Sequence, residues 1–176
     1  MARVRLYLDQ PDKTRFLRFI RPGGSRDTIP VLRLKAYVEL LRYVRSGPDA
    51  GLAAYPDCVL DTASPLAIIP EYIGSYLRRG VVTPLPFDPT VPAADRRLTV
   101  AGGTYPYELG EITLPLRDRS GGHLDVRVVA MFTRDGVALN IPLTLGLRGG
   151  VLDGRVLKAE PDPSAPFGQA WVLQDP

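Results

Sequence analysis

The stretch Cys58-Val59-Leu60-Asp61-Thr62-Ala63-Ser64, followed by Pro65 and the apolar run Leu66-Ala67-Ile68-Ile69-Pro70, decides how the chain is read. It is the end of an apolar strand, then an acid and two hydroxyls, then a second apolar run closed by proline. A carboxylate where a hydrophobic strand breaks into a turn is costly unless something hydrogen-bonds to it or a site uses it. The plainer reading is an Asx- or Ser/Thr-turn, with Asp61 and Ser64 capping nearby backbone N–H groups. The functional reading draws on the motifs that accompany this one along the chain.

Upstream, residues 29–41 alternate. Leu32, Leu34, Ala36, Val38 and Leu40 face one way, and Arg33, Lys35 and Glu39 the other, which is a strand with one solvated face. A turn at 45–52 leads from it to the Cys58 strand, and the antiparallel pair would deliver Asp61 to the end of a hairpin. Earlier still, Val4, Leu6 and Leu8 mark a first strand, with 16–20 as its expected partner and Pro22-Gly23-Gly24-Ser25 as a turn. Downstream, Pro70-Glu71-Tyr72 opens an expected helix. Ile69, Tyr72, Ile73, Tyr76 and Leu77 share a face, and Arg78-Arg79-Gly80 forms the stop.

After a proline-rich loop at 84–92, Leu98 and Val100 enter Ala101-Gly102-Gly103-Thr104-Tyr105-Pro106-Tyr107. Ile112, Leu114 and Leu116 alternate, Val126 to Phe132 is again strand-like, and residues 139–147 are nearly all apolar, so that strand should be buried on both faces. Further strands fall near 156–157 and 170–173. The sum is about ten short strands with one or two short helices, an all-β barrel or sandwich without internal repeat.

Composition narrows the function. The chain has 176 residues and is 45% hydrophobic, enough for a single domain over 1–176 with a real core. The 18 prolines and 17 glycines are scattered between apolar runs, as turns between strands require. A net charge of +3 is modest, and the arginines at 15–26 and 78–79 lack the aromatic or helical setting of a nucleic-acid site. The single cysteine, Cys58, excludes an intrachain disulfide and reads as a buried filler in a reducing, cytoplasmic compartment. With His123 the only histidine, no zinc site or other cofactor is expected. No apolar run reaches membrane-spanning length and no leader precedes the first alternation, so no membrane partner is expected.

The acid–hydroxyl turn, the helix-like piece after it, the Gly-rich hairpin and the late apolar strand ending in Leu145-Gly146 together resemble the retroviral-type (retropepsin-like) aspartic proteases and their bacterial relatives. That family's apolar strand and Asp-Thr-Gly-Ala motif match Val59-Leu60-Asp61-Thr62-Ala63-Ser64, and its later apolar pair with glycine falls on Leu145-Gly146. Its flap falls on Ala101, Gly102, Gly103, Thr104 and Tyr105, with Leu109-Gly110-Glu111-Ile112 as the returning strand. The resemblance spans 29–158, leaving an N-terminal hairpin at 3–20 and C-terminal strands at 156–173. It implies a small closed barrel. Two departures stand out. Ala63 replaces the usual glycine, and Gly149-Gly150 lie where the family has a short helix over 147–152, costing that helix about 1 kcal/mol each.

The resemblance also implies the chemistry. Two carboxylates about 3 Å apart share one proton and hold a water, one as base and the other as donor to the scissile carbonyl. The motif occurs once. Asp9, Asp88 and Asp153 follow apolar residues but lack the Thr-Gly or Ser-Gly that would make a second. A dyad therefore needs two chains related by a two-fold axis. Asp61, Thr62 and Ala63 would form the catalytic turn, Ser64, Leu145 and Gly146 would support it, and residues 101–105 would cover an extended peptide substrate. Leu66, Ile68 and Leu147 are candidate pocket walls. The expected activity is a homodimeric aspartic endopeptidase; the alternative is a catalytically silent dimerisation or peptide-binding module of the same type.

Overall fold

The structure is a computed structural model, and it describes residues 2–10, 16–48, 50–61, 64–100, 103–134 and 141–176. Four strands come first: β1 (Arg3–Asp9), β2 (Phe16–Ile20), β3 (Arg26–Pro30) and β4 (Arg33–Val38). A short helix α1 (Ala50–Ala54) leads into β5 (Asp57–Leu60), β6 (Ala67–Ile69) and a second short helix, α2 (Glu71–Gly74). The middle of the chain holds β7 (Thr83–Leu85), β8 (Arg97–Val100), β9 (Gly103–Arg117) and β10 (His123–Thr133). It ends with β11 (Leu143–Leu145), β12 (Val156–Pro161) and β13 (Gln169–Gln174).

Eleven strands form one sheet in the order β12-β13-β1-β10-β6-β11-β5-β4-β9-β7, with β8 added on β9 and further pairings of β1 with β4 and β9 with β10. β2 and β3 form a separate two-stranded ribbon. The expected all-β closed barrel is therefore corrected to a mixed sheet with short helices. Its path ends in two edges, β12 and β7, that do not meet. Two of its pairings, β10–β6 and β11–β5, run parallel. Parallel neighbours need a crossover in place of a tight turn, and alternation along one strand reports which face is buried, not which strand lies beside it. Strand β9, with fifteen residues, is long enough to serve β8 and β7 near its start and β10 and β4 farther on.

The core sits where the short central strands are covered on both faces. Every residue of β6 and β11 is buried, as are Cys58, Val59 and Leu60 of β5. Around them pack Leu6, Ile73, Ile112, Leu114, Leu116, Leu124 and Leu173, all fully buried. Each such side chain contributes about 2 kcal/mol by leaving water. The even-numbered face of β4 turns inward as the sequence requires, with Ala36, Val38 and Leu40 buried and Arg33 and Glu39 exposed.

Four local expectations change. The 16–20 strand does not pair with β1; it pairs with β3, while β1 takes β4, β13 and β10. The strand expected over 29–41 is broken between β3 and β4. The helix expected from Pro70 to Gly80 stops at Gly74, because the chain beyond it pairs elsewhere: Leu77 bridges Val44, Arg45 N–H donates to the Tyr76 carbonyl and Arg78 N–H to that of Tyr43. The helix expected over 147–152 is a series of turns, with Gly149 at φ +71° and Gly150 at φ +109°, outside the right-handed helical region. No helix among the described residues is long and apolar enough to cross a membrane.

Candidate functional site

Asp61 is positioned by two strands that leave the core side by side. β5 and β11 run parallel in the register Leu143–Cys58, Thr144–Val59 and Leu145–Leu60. The ladder continues one step further: Asp61 N–H donates to the Leu145 carbonyl at 3.0 Å. The chain then turns, with Ser64 N–H donating to the Asp61 carbonyl at 3.3 Å, and passes in front of β11's exit. There Leu147 N–H donates to the Ser64 carbonyl at 3.0 Å and Arg148 N–H to the Pro65 carbonyl at 2.9 Å. The Ser64 hydroxyl, on a buried residue, donates to the Leu66 carbonyl at 2.7 Å. Asp61 itself is exposed in the single chain.

This crossing explains Gly146. A Cβ added there would lie 2.4 Å from the Leu66 carbonyl oxygen, 2.5 Å from its carbon and 2.8 Å from its nitrogen. These are backbone atoms held by the surrounding hydrogen bonds, so only glycine fits. The structure thus brings Asp61, Ser64, Leu145 and Gly146 together. Thr62 and Ala63 lie outside the described residues. Of the expected pocket walls, Ile68 is buried in β6, and Leu66 and Leu147 are partly exposed beside the crossing.

The hairpin expected as a flap is formed by β8 and β9, in the register Arg97–Pro106, Leu98–Tyr105, Thr99–Thr104 and Val100–Gly103. Ala101 and Gly102, between the strands, lie outside the described residues. The returning strand begins at Gly103, well before Leu109. The Thr99 and Thr104 hydroxyls are 3.1 Å apart across the ladder, and the Tyr105 ring folds back over Gly103. At the hairpin's root the Tyr107 ring meets Phe87 edge-on at 5.4 Å, with the Arg96 guanidinium over Phe87. Gly103, Thr104 and Tyr105 are thus on an element of their own, away from the β5–β11 crossing in the sheet order. A cavity of about 430 Å³ opens near the same root, lined by Glu71, Val82, Pro84, Glu108, Phe132 and Arg134 and not by Asp61.

The other acids that follow apolar residues are engaged elsewhere. Asp9 pairs with Lys35 at 3.1 Å, and Lys35 also reaches Asp57 at 2.6 Å. Burial works against the Lys35 ammonium, but the hydrogen bonds to Asp57 and Asp9 outweigh it and hold its pKa above the ordinary lysine value. Asp88 accepts from the Thr90 N–H and hydroxyl, and Asp153 from the Gly150 N–H at 2.7 Å. Burial pushes the Cys58 thiol well above its usual pKa, which leaves it protonated and inert, a packing residue. The Lys35 bridge between Asp9 and Asp57 escaped the sequence reading. Its one signal was a lysine on the solvated face of β4, which names no partner.

Among the described residues no group of three or more His, Cys, Asp or Glu side chains is placed to hold a metal ion. No family model, curated protein or solved structure matches the chain. What the arrangement can do chemically is present a carboxylate, at the end of a buried strand, on a main chain held from behind by a second strand.

Proposed function

We propose that the protein is an aspartic endopeptidase that works as a homodimer, Asp61 of one copy sharing a proton with Asp61 of the other. The observation that carries this reading is the Asp61 turn. An exposed acid leaves a buried strand with its N–H fixed on the Leu145 carbonyl, against a crossing too tight for any residue but glycine at position 146. Preorganisation of that kind is what a catalytic carboxylate needs. The likeness of Val59-Leu60-Asp61-Thr62-Ala63-Ser64 and Leu145-Gly146 to the retropepsin-like motifs supports it further. So does the engagement of Asp9, Asp88 and Asp153 in other contacts, which leaves a second copy as the source of the second carboxylate.

In this reading the ionised Asp61 takes a proton from the bound water as its oxygen attacks the scissile carbonyl carbon. The protonated Asp61 of the other copy donates to the carbonyl oxygen. The tetrahedral diol then collapses: the C–N bond breaks, the amine leaves with the proton of the protonated carboxyl group, a diol hydroxyl gives its proton to the other carboxylate, and the dyad again holds one proton. Ser64 and Gly146 position the turn, and the β8–β9 hairpin would cover an extended peptide. The site needs no metal or cofactor. A single cysteine, with no partner in the chain for a disulfide, fits a reducing, cytoplasmic setting.

Asp61→Asn tests the reading. It should abolish hydrolysis of a denatured protein substrate at roughly pH 4–6, where one carboxyl of such a dyad is protonated, and leave the sedimentation coefficient and thermal unfolding unchanged. Undiminished cleavage by the variant would refute it. An intact wild-type dimer that cleaves nothing would leave a dimerisation or peptide-binding module.

A further inference from the structure

The β2–β3 ribbon is the part of the molecule that its own fold does not explain. Its substantial packing is between its own two strands, and all five residues of β2 are exposed. Of the ten large apolar side chains exposed among the described residues, five are here: Phe16, Leu17, Phe19, Ile20 and Ile29. Residues paired across an antiparallel ladder share a face. Leu17 with Ile29 and Phe19 with Asp27 therefore make one face, and Phe16 with Pro30, Arg18 with Thr28 and Ile20 with Arg26 the other. On the first face the only charges cancel, because Arg21 pairs with Asp27 and lies over the Phe19 ring. A two-stranded ribbon in water is marginal without a surface to pack on, and this one carries apolar side chains on both faces.

Its root identifies what it meets. β1 and β4 pair in the register Leu8–Leu34 and Asp9–Arg33, and the ribbon is the excursion of the chain between these strands beyond that last pair. β4 pairs with β5 in the register Leu34–Leu60, so the same end of the sheet is where Asp61 emerges. The arm therefore springs from the edge at which the proposed catalytic half-site stops and requires a second copy. No residue of 16–30 lines the cavities of about 430, 290 and 390 Å³ in the body, and the arm presents protruding side chains. With roughly 150–250 Å² for a large side chain, the exposed parts of Leu17, Phe19 and Ile29 amount to about 300 Å² per copy, over a third of the ~800 Å² each partner gives to a stable interface.

We infer that the 16–30 ribbon is a dimerisation arm, which lays the Leu17–Phe19–Ile29 face against a second copy of this chain and so holds the two Asp61 turns together. The inference rests on the two-copy reading of the site but is separable from it. Two variants of the full chain test it by sedimentation equilibrium over a concentration series. One is the triple substitution Leu17→Thr, Phe19→Thr and Ile29→Thr. In the other, residues 11–31 are replaced by Asn-Gly, a turn that fits because Gln10 and Leu32 follow the Asp9–Arg33 pair. Both should weaken the dimer at least about tenfold and keep the wild-type melting temperature when dilute. Cleavage per chain should fall with the dimer fraction and recover at high concentration. An unchanged dimer constant in either variant overturns the arm, as does a wild type that is monomeric throughout. Asp61→Asn decides the catalytic reading on its own: a variant that still cleaves refutes that reading even where dimerisation proves to depend on the arm.

Discussion

At Gly146 one added methyl would fall 2.4 Å from the Leu66 carbonyl oxygen, whereas a Cβ added at Gly23 or Gly24, at the tip of the β2–β3 ribbon, would meet nothing within 4 Å. The first region is fixed by its own chain: two buried strands run parallel, the segment after one crosses the exit of the other, and five main-chain or hydroxyl hydrogen bonds hold Asp61, Ser64, Pro65 and Leu66 against Leu145, Leu147 and Arg148 or within the turn itself. The second region has almost no inward contacts. The difference teaches where each kind of information is kept. A position whose partners lie within the chain should respond to substitution through folding stability. One whose partner lies in another molecule should respond through association.

The largest effect is expected at the crossing. Gly146→Ala forces the Leu66 backbone to move, because all three contacted atoms are main-chain and none is the end of a flexible side chain. We expect a loss of about 3 kcal/mol in urea unfolding, the upper end for overpacking a tight site, together with loss of any peptide cleavage. A loss below about 1 kcal/mol would mean that the two exits slide apart easily, and the contrast with the arm would collapse. Next in size is Ser64→Ala. The hydroxyl is buried and donates to the Leu66 carbonyl at 2.7 Å. Removing it should cost about 1 kcal/mol, read by the same unfolding curves.

A third turn sharpens the comparison by replacing shape with charge. Asp118 follows β9 and accepts from the N–H groups of Arg5, Ser120 and Gly122. Partial burial works against its charge, yet the N–H donors from Arg5, Gly122 and Ser120 prevail and hold its pKa below the usual 3.8. With the folded value depressed, its contribution to stability is complete above 3.8 and is lost as pH falls through the folded value. Asp118→Asn should therefore flatten the acid limb of stability against pH in that window and lower stability near neutrality. Urea midpoints measured from roughly pH 5 to pH 2 check it. An unchanged acid slope would place the bracing in hydrogen-bond geometry alone.

The same contrast explains what could be read from the sequence. The Leu32-to-Leu40 alternation and the apolar runs 58–60, 66–69 and 143–145 announced buried strands, because burial is encoded residue by residue. The association of Asp61 with Leu145-Gly146 came from motif likeness, and the geometry around Leu66 supplied its physical cause. Pairing was not legible. Nothing in Val126 to Phe132 tells that β10 runs parallel to β6, and alternation by itself does not separate an open mixed sheet from a closed barrel. The α2 helix showed the opposite failure: a well-formed amphipathic face over Ile69 to Leu77 was overridden by pairing of Leu77 with Val44, a tertiary contact that local propensity does not contain. At 16–20 the apolar run points only to a strand beside its nearest neighbour in sequence, since a ribbon without a core behind it has no signature of its own.

The smallest effect on folding is expected where the apolar exposure is greatest. Leu17→Thr and Phe19→Thr remove side chains that are 63% and 37% exposed and keep strand-forming residues in their place. In dilute protein, unfolding should shift by no more than about 0.5 kcal/mol, the range of surface changes. Above the dimer constant the shift should grow, because whatever binds only the folded chain adds RT ln(1 + [L]/Kd) to its stability and the partner here is the protein itself. Melting temperature plotted against protein concentration then separates the two regions in one measurement. For Gly146→Ala the line should lie below wild type by a constant offset; for the arm variants it should meet wild type at low concentration and diverge as concentration rises. Parallel lines for the arm variants would mean that these side chains contribute to the single chain, and the arm would then be part of the fold.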